Sequence, residues 1–126
     1  MDFSSQRFVD VVVAAPVGQI DHPNAESLKQ ALAPILDATV PSIGALVLDF
    51  SRVSYISSMG LRVLLVAAKQ MRACNARIAI ASLQPVVGEI FAIARFNHVL
   101  EVFPDVRTAL THLSTPALAA YDAAAA

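Results

Sequence analysis

Short apolar runs alternate with amphipathic helical patterns along most of the chain, and this alternation constrains the fold more than any other feature. Residues Ala45 to Phe50 are almost continuously apolar, with Asp49 near their end, as expected of a buried central strand that reaches the edge of a sheet. Other strand-like runs cover 8–14, 76–82 and 99–103. Because strands that alternate with helices pair in parallel, the sequence predicts an α/β fold with one mostly parallel sheet.

The N-terminal end of this sheet is expected to be antiparallel. Residues 8–14 are rich in β-branched side chains and lead to Pro16 and Gly18, which predict a turn before a short second strand that ends near Ile20. The sheet is therefore expected to be mixed, with an antiparallel hairpin at its N-terminal end.

About four helices are expected beside the sheet. The first has its apolar residues on one face from Ala25 onward and start signals at Pro23 and Asn24, while Pro34 favours a kink or an early end. The other three are expected to begin after Ser57, at Pro85 and after Asp105.

The chain has 126 residues, enough for one domain and too few for two independent cores. We expect the domain to span residues 1–114. Residues 115–126 form an Ala-rich tail with a single charge, Asp122, and this tail is expected to be frayed or disordered.

Composition and charge exclude several partners. Hydrophobic residues make up 56% of the chain and charged residues 15%, which is typical of a folded domain, yet charges interrupt every apolar stretch before membrane-spanning length. Direct membrane insertion is therefore not expected. The N-terminus lacks the pattern of a secretory signal, which favours a cytoplasmic location, and the net charge of −1 gives no attraction to nucleic acid.

The residues that usually carry catalysis or hold cofactors form no recognisable motif. The three histidines lack the spacing of a zinc site, the glycines form no phosphate-binding loop, and Ser57 and Ser58 lie outside any nucleophile elbow. We expect no catalytic residue, no metal and no cofactor, so the chain is not expected to be an enzyme. A small enzyme that binds or hydrolyses nucleotides is the least supported interpretation.

Two carboxylates leave an alternative open. Asp21 follows one predicted strand and Asp49 lies near the end of another, so they could approach each other at one sheet edge and bind a cation. Acidic residues at such positions more often cap helices or turns.

A family resemblance becomes visible at residues 49–62, DFSRVSYISSMGLR. This segment resembles the signature of STAS domains, the family of anti-sigma-factor antagonists, which runs strand, D-x-S-x-V, a hydrophobic pair, then D-S-x-G-L at a helix start. Residues 17–25 also resemble the family's G-x-hydrophobic-D segment before its first helix. The likeness continues through 76–83 and 96–113, so it covers nearly the whole chain except the tail, and it implies a STAS-like single domain.

The resemblance implies a control residue and a binding surface. In the family, the serine before x-G-L is phosphorylated by a partner kinase that is itself the anti-sigma factor, and by position this serine is Ser58. The usual aspartate before it is replaced by Ser57, the backup acceptor. Because serine is also a preferred N-cap residue, capping alone is the alternative role for either serine. The expected partner-binding residues are Asp21, Asn24, Ser57, Ser58, Met59, Gly60, Arg62 and Lys69.

The function implied by the resemblance is partner switching. Unmodified, the protein is expected to bind an anti-sigma factor that is also a serine-protein kinase, and phosphorylation of Ser58 is expected to cancel the binding. A serine phosphatase would restore it. Arg62 and Lys69 lie beyond Ser58 on the exposed side of the predicted helix, where they can meet an acidic partner. The alternative is a cytoplasmic STAS subunit of a membrane transport assembly.

Overall fold

A mixed sheet lies between two layers of helices in the computed structural model, which describes residues 2–37 and 43–125. Within these residues the six strands are β1 (Asp2–Phe8), β2 (Val11–Ile20), β3 (Ala45–Asp49), β4 (Val53–Ile56), β5 (Arg77–Ala81) and β6 (Glu101–Phe103). The five α-helices of the same residues are α1 (His22–Leu36), α2 (Ser58–Ala73), α3 (Pro85–Ile93), α4 (Val106–Leu113) and α5 (Thr115–Ala125). A single 3₁₀ turn, Phe96–His98, follows α3.

The order of the strands confirms a mixed sheet with an N-terminal antiparallel hairpin. β1 and β2 pair antiparallel, and the order β1-β2-β3-β5-β6 continues with parallel pairs. β4 lies off this path and pairs in parallel with the C-terminal part of β2, where Ile20 lies opposite Ile56. β4 is not among the strands that the sequence predicts.

The turn of the hairpin lies at Val9 and Asp10, not at Pro16 and Gly18 as predicted. Both of the latter residues belong to β2. Pro16 lies between the segment of β2 that pairs with β3 and the segment that pairs with β4, so its missing N–H removes no bond to either strand. Gly18 has a φ of 102° where the register with β4 shifts, a conformation that glycine adopts without strain.

Alternating side chains of the central strand enter two separate cores. On β3, Leu46 and Leu48 pack into the core beneath α1, α2 and α3, whereas Ala45 and Val47 pack into the core beneath α4 and α5. All four are buried. This burial on both faces explains why the strand reads as one continuous apolar run.

The C-terminal tail differs from the expected frayed segment, because residues 115–125 form α5. Alanine is the best helix former. The helix packs through buried Ala117 and through an edge-on contact between the rings of Tyr121 and Phe8, whose centroids lie 5.4 Å apart. Asp122 also accepts two hydrogen bonds of 3.1 Å from Arg107. The domain boundary at residue 114 stays a prediction.

A hydrogen bond ties the start of α5 to the hairpin turn. The hydroxyl of buried Ser114 donates to Asp10 Oδ1 at 2.7 Å and accepts from the Ala117 N–H at 3.2 Å.

None of the described helices is both long and apolar enough to cross a membrane.

Candidate functional site

The helices α1 and α2 begin side by side at one edge of the sheet. The parallel pairing of Ile20 with Ile56 brings the ends of β2 and β4 together, and each helix starts within two residues of its strand. The N–H of Ser57 donates to the carbonyl of Ile20 at 2.8 Å, which joins the two strand ends. The residues 21–24 and 57–60 therefore form one surface.

The two serines at the start of α2 have different roles in the structure. Ser57 is the N-cap: its backbone is extended, it is half-buried, and its Oγ accepts a hydrogen bond of 3.2 Å from the Gly60 N–H. Ser58 is the first helical residue and is exposed. Within residues 2–37 and 43–125 its hydroxyl makes no hydrogen bond. Capping thus belongs to Ser57 and leaves the Ser58 hydroxyl accessible.

Gly60 allows the first turn of α2 to lie directly on the strand ends. A Cβ at this position would lie 2.7 Å from Ile20 Cγ2 and 2.7 Å from Ile56 Cγ1, closer than non-bonded carbon atoms can approach. The glycine is buried, and its place in the site is to fix the position of the helix.

Asp21 and Asn24 fix the start of α1. Asp21 Oδ1 accepts a hydrogen bond of 3.0 Å from the Asn24 N–H, and Asn24 Nδ2 donates to the carbonyl of Gln19 at 2.9 Å. Both side chains are half-buried. Their polar groups are therefore engaged in local structure, although each keeps part of its surface exposed beside α2.

The structure does not bring Asp21 and Asp49 together, because Leu48 near the end of β3 pairs with Ala14, seven residues before Asp21. Asp49 Oδ1 accepts a hydrogen bond of 3.0 Å from the Ser51 N–H, as an aspartate in a turn does, while Asp21 caps α1. Among the residues that the structure describes, no three His, Cys, Asp or Glu side chains come close enough to hold a metal ion.

A groove of about 1090 Å³ runs between α1 and α2 from this surface. Its lining includes His22 from α1 and Met59 and Arg62 from α2, and it continues past Val66. Met59 and Val66 are 40% and 44% exposed, so the groove presents apolar side chains beside charged ones.

The predicted partner-binding residues fall into two groups. Those at 21–24 and 57–60 lie at the adjacent helix starts, and Arg62 lies one turn beyond them along the groove. Lys69 is exposed on α2 but does not line the groove and lies about 16 Å from Ser58 along the helix axis. The sequence did not identify His22 as a groove residue, because the residues that surround it depend on how α1 packs against α2.

Comparison with known proteins identifies relatives. The chain matches the family model of the STAS domain over residues 3–109. It is 36% identical over 104 residues to BtrV of Bordetella bronchiseptica, a protein provisionally named an anti-sigma factor antagonist, with 82% of this chain and 84% of that protein covered.

Solved structures share the fold at lower identity. An anti-sigma factor antagonist from Mycobacterium paratuberculosis has a TM-score of 0.77 at 21% identity, covering 89% of this chain and 94% of that chain. The phosphorylated form of SpoIIAA, a Bacillus cell fate determinant, has a TM-score of 0.67 at 16% identity, covering 90% and 100%. A sulfate transporter family protein from Wolinella succinogenes has a TM-score of 0.73 at 15% identity, covering 90% and 89%.

Proposed function

The chain belongs to the STAS domain family, and from this premise we propose that it is a partner-switching regulator controlled by phosphorylation of Ser58. Its relatives include anti-sigma factor antagonists, which are regulators and not enzymes. In the proposed cycle, the unmodified protein binds an anti-sigma factor that is also a serine-protein kinase and so frees a sigma factor. Phosphorylation ends the binding, and a serine phosphatase restores it in the cytoplasm.

The exposed hydroxyl of Ser58 is the observation that carries this proposal. A kinase must reach its acceptor oxygen from solvent, and Ser58 is exposed and makes no hydrogen bond within the described part of the chain. Ser57 is the weaker acceptor, because the residue is half-buried and its Oγ accepts a hydrogen bond from the Gly60 N–H. The geometry therefore favours Ser58 over the backup acceptor.

A phosphate at Ser58 is compatible with the fold. The first N–H groups of a helix have no partner inside the helix and carry partial positive charge, so a group with a charge of about −1.5 to −2 is tolerated there. The Ser57 cap does not involve the Ser58 side chain and remains in place. Modification is thus expected to leave the domain folded.

The same phosphate opposes docking. The surface around Ser58 includes Met59, which is 40% exposed, and a partner that covers it would have to remove water from the phosphate as well. Because a buried, unpaired charge is strongly unfavourable, the modified protein should bind weakly.

Phosphopeptide mapping tests the acceptor. The kinase retained from native cytoplasm by the unmodified protein would be purified and incubated with the protein and ATP. We expect phosphate on Ser58, no labelling of Ser58→Ala, and normal labelling of the matched control Ser57→Ala. Phosphate found only on Ser51, Ser54 or Ser82 would contradict the proposal.

The test also separates the alternative function. A STAS subunit of a membrane transport assembly would bind a transporter ATPase and would need no phosphorylation. The shared fold with a sulfate transporter family protein shows the fold alone at 15% identity. Capture of a transport ATPase, with no kinase retained and no label on either serine, would favour that alternative.

A further inference from the structure

Arg62 lies one helical turn beyond Ser58 on α2. Residues four positions apart on a helix lie on the same face, about 6 Å apart along the axis. An acidic group placed N-terminal to a basic one at this spacing is the favourable orientation, because it also suits the helix dipole. A phosphate on Ser58 would have this relation to the Arg62 guanidinium.

Arg62 is free to bind such a group. It is exposed, and among residues 2–37 and 43–125 it forms no ion pair and no side-chain hydrogen bond. Four other arginines are already held by hydrogen bonds: Arg7, Arg72, Arg77 and Arg107.

Glu26 and Asp21 do not occupy the Arg62 guanidinium. Glu26 lines the same groove from α1 but makes no ion pair with Arg62 within the described residues. The Asp21 carboxylate accepts the Asn24 N–H as the cap of α1. A dianionic phosphate would compete well against either carboxylate, because it carries more charge and three acceptor oxygens.

We infer that Arg62 is a second control residue, which binds the phosphate on Ser58 within the same chain and is thereby withdrawn from the partner. The inference rests on the proposed phosphorylation of Ser58. Phosphorylation then has two effects on docking. The phosphate adds negative charge to the docking surface, and its bond to Arg62 makes the guanidinium unavailable to the partner. The planar guanidinium can donate two parallel hydrogen bonds to phosphate oxygens, which a lysine ammonium cannot match.

A phosphorus NMR titration tests the bond without any kinase or partner. Protein carrying phosphoserine at position 58, introduced during synthesis, would be titrated as wild type, Arg62→Gln, Arg62→Lys and Lys69→Gln. A bound cation stabilises the dianionic form of the phosphate and so lowers its second pKa. This pKa should be about 0.3 lower in the wild type than in Arg62→Gln, which is the effect expected of one helical ion pair. Arg62→Lys should fall between them.

Lys69→Gln is the matched control, since it removes the same charge from the same helix at a position about 16 Å from Ser58 along the helix axis. Its phosphate should ionise close to the wild-type value. A phosphate that ionises at the same pH in the wild type and in Arg62→Gln overturns the inference, as does an equal shift in Lys69→Gln. Arg62 is exposed, so circular dichroism should show all variants folded.

Partner binding separates this inference from the proposed function. If phosphoserine 58 abolishes binding equally in the wild type and in Arg62→Gln, and the titration shows no bond, the switch stands and the inference fails. If the titration shows the bond but phosphoserine leaves partner affinity unchanged, only the bond stands, and both the proposed switch and the control role of Arg62 are overturned.

Discussion

At the scale of single residues, Ser57 and Ser58 are adjacent but differ in what their hydroxyls do. Ser57 Oγ accepts the Gly60 N–H, so Ser57→Ala should lower the free energy of unfolding by about 1 kcal/mol, the usual cost of a lost N-cap. Ser58→Ala removes no hydrogen bond within the described residues and should change stability by less than about 0.5 kcal/mol. Chemical denaturation of both variants measures the difference, and equal losses would contradict the assignment of the cap.

Gly60 and Gly88 make a second pair at this scale. A Cβ on Gly60 would meet two isoleucine side chains at 2.7 Å, whereas a Cβ on Gly88 would have no heavy atom within 4 Å. We expect Gly60→Ala to destabilise the protein by about 1 to 3 kcal/mol through overpacking.

Gly88→Ala is the matched control and should stabilise α3 by about 0.5 to 1 kcal/mol, because glycine is unfavourable inside a helix. Urea denaturation of the two variants should therefore give changes of opposite sign. Stabilisation by both would mean that the first turn of α2 does not lie as close to β2 and β4 as the structure places it.

At the scale of elements, the Asp105 cap of α4 makes the stability of the protein depend on pH. Asp105 accepts a 2.7 Å hydrogen bond from the Thr108 N–H, and this bond is the main cause that holds the pKa of the Asp105 carboxyl below its usual value. Since the folded-state pKa is lowered, the contribution of Asp105 to stability is present above the unfolded pKa and is lost as pH falls through the folded pKa.

Asp105→Asn tests this sign. Asparagine keeps a capping oxygen but does not titrate, so the variant should lose less stability than the wild type as the pH falls below about 4. Thermal unfolding between neutral and acidic pH measures both curves. Parallel curves would show that the Asp105 carboxyl does not contribute to acid sensitivity.

The elements also show where sequence patterns are sufficient. The apolar runs of β3 and β5 and the helical periodicity of α2 were predicted correctly, since burial on one or both faces leaves a regular pattern. The short strand β4 was missed, because four residues with only Val53 and Ile56 buried carry too little alternation. The turn at Val9 was missed too, since a valine with a φ of 58° gives no turn signal.

The C-terminal helix was missed for a different reason. Its sequence, TPALAAYDAAA, lacks the alternation of apolar and polar residues that marks a helix beside a core. Its packing depends on Tyr121 reaching Phe8 and on Asp122 reaching Arg107, contacts between residues distant in sequence. Such contacts cannot be read from local composition.

At the scale of the whole molecule, sheet topology creates the candidate site. Motif resemblance was enough to single out Ser58, but the surface around it depends on the parallel pairing of β2 with β4, which brings α1 and α2 together. The second layer of helices, α4 and α5, packs on the opposite face. A change at Ser58 can therefore alter binding while most of the core remains undisturbed.

The last prediction follows from this separation of surface and core. Ser58→Ala and Ser58→Asp should both leave the melting temperature within a few degrees of the wild type, because Ser57 keeps the cap and the helix dipole accepts an aspartate. Binding should diverge: Ser58→Ala should bind the anti-sigma partner and resist switching, while Ser58→Asp should lose at least about tenfold in affinity, or about 1.4 kcal/mol.

Calorimetric titration with the purified partner measures both affinities, and Ser57→Asp is the matched control. A carboxylate carries less charge than phosphate and fewer acceptor oxygens, so Ser58→Asp should weaken binding less than phosphoserine does. If Ser57→Asp weakens binding while Ser58→Asp binds like the wild type, the acceptor moves to Ser57. If neither substitution changes the affinity, charge at the start of α2 does not control docking, and the transport alternative gains support.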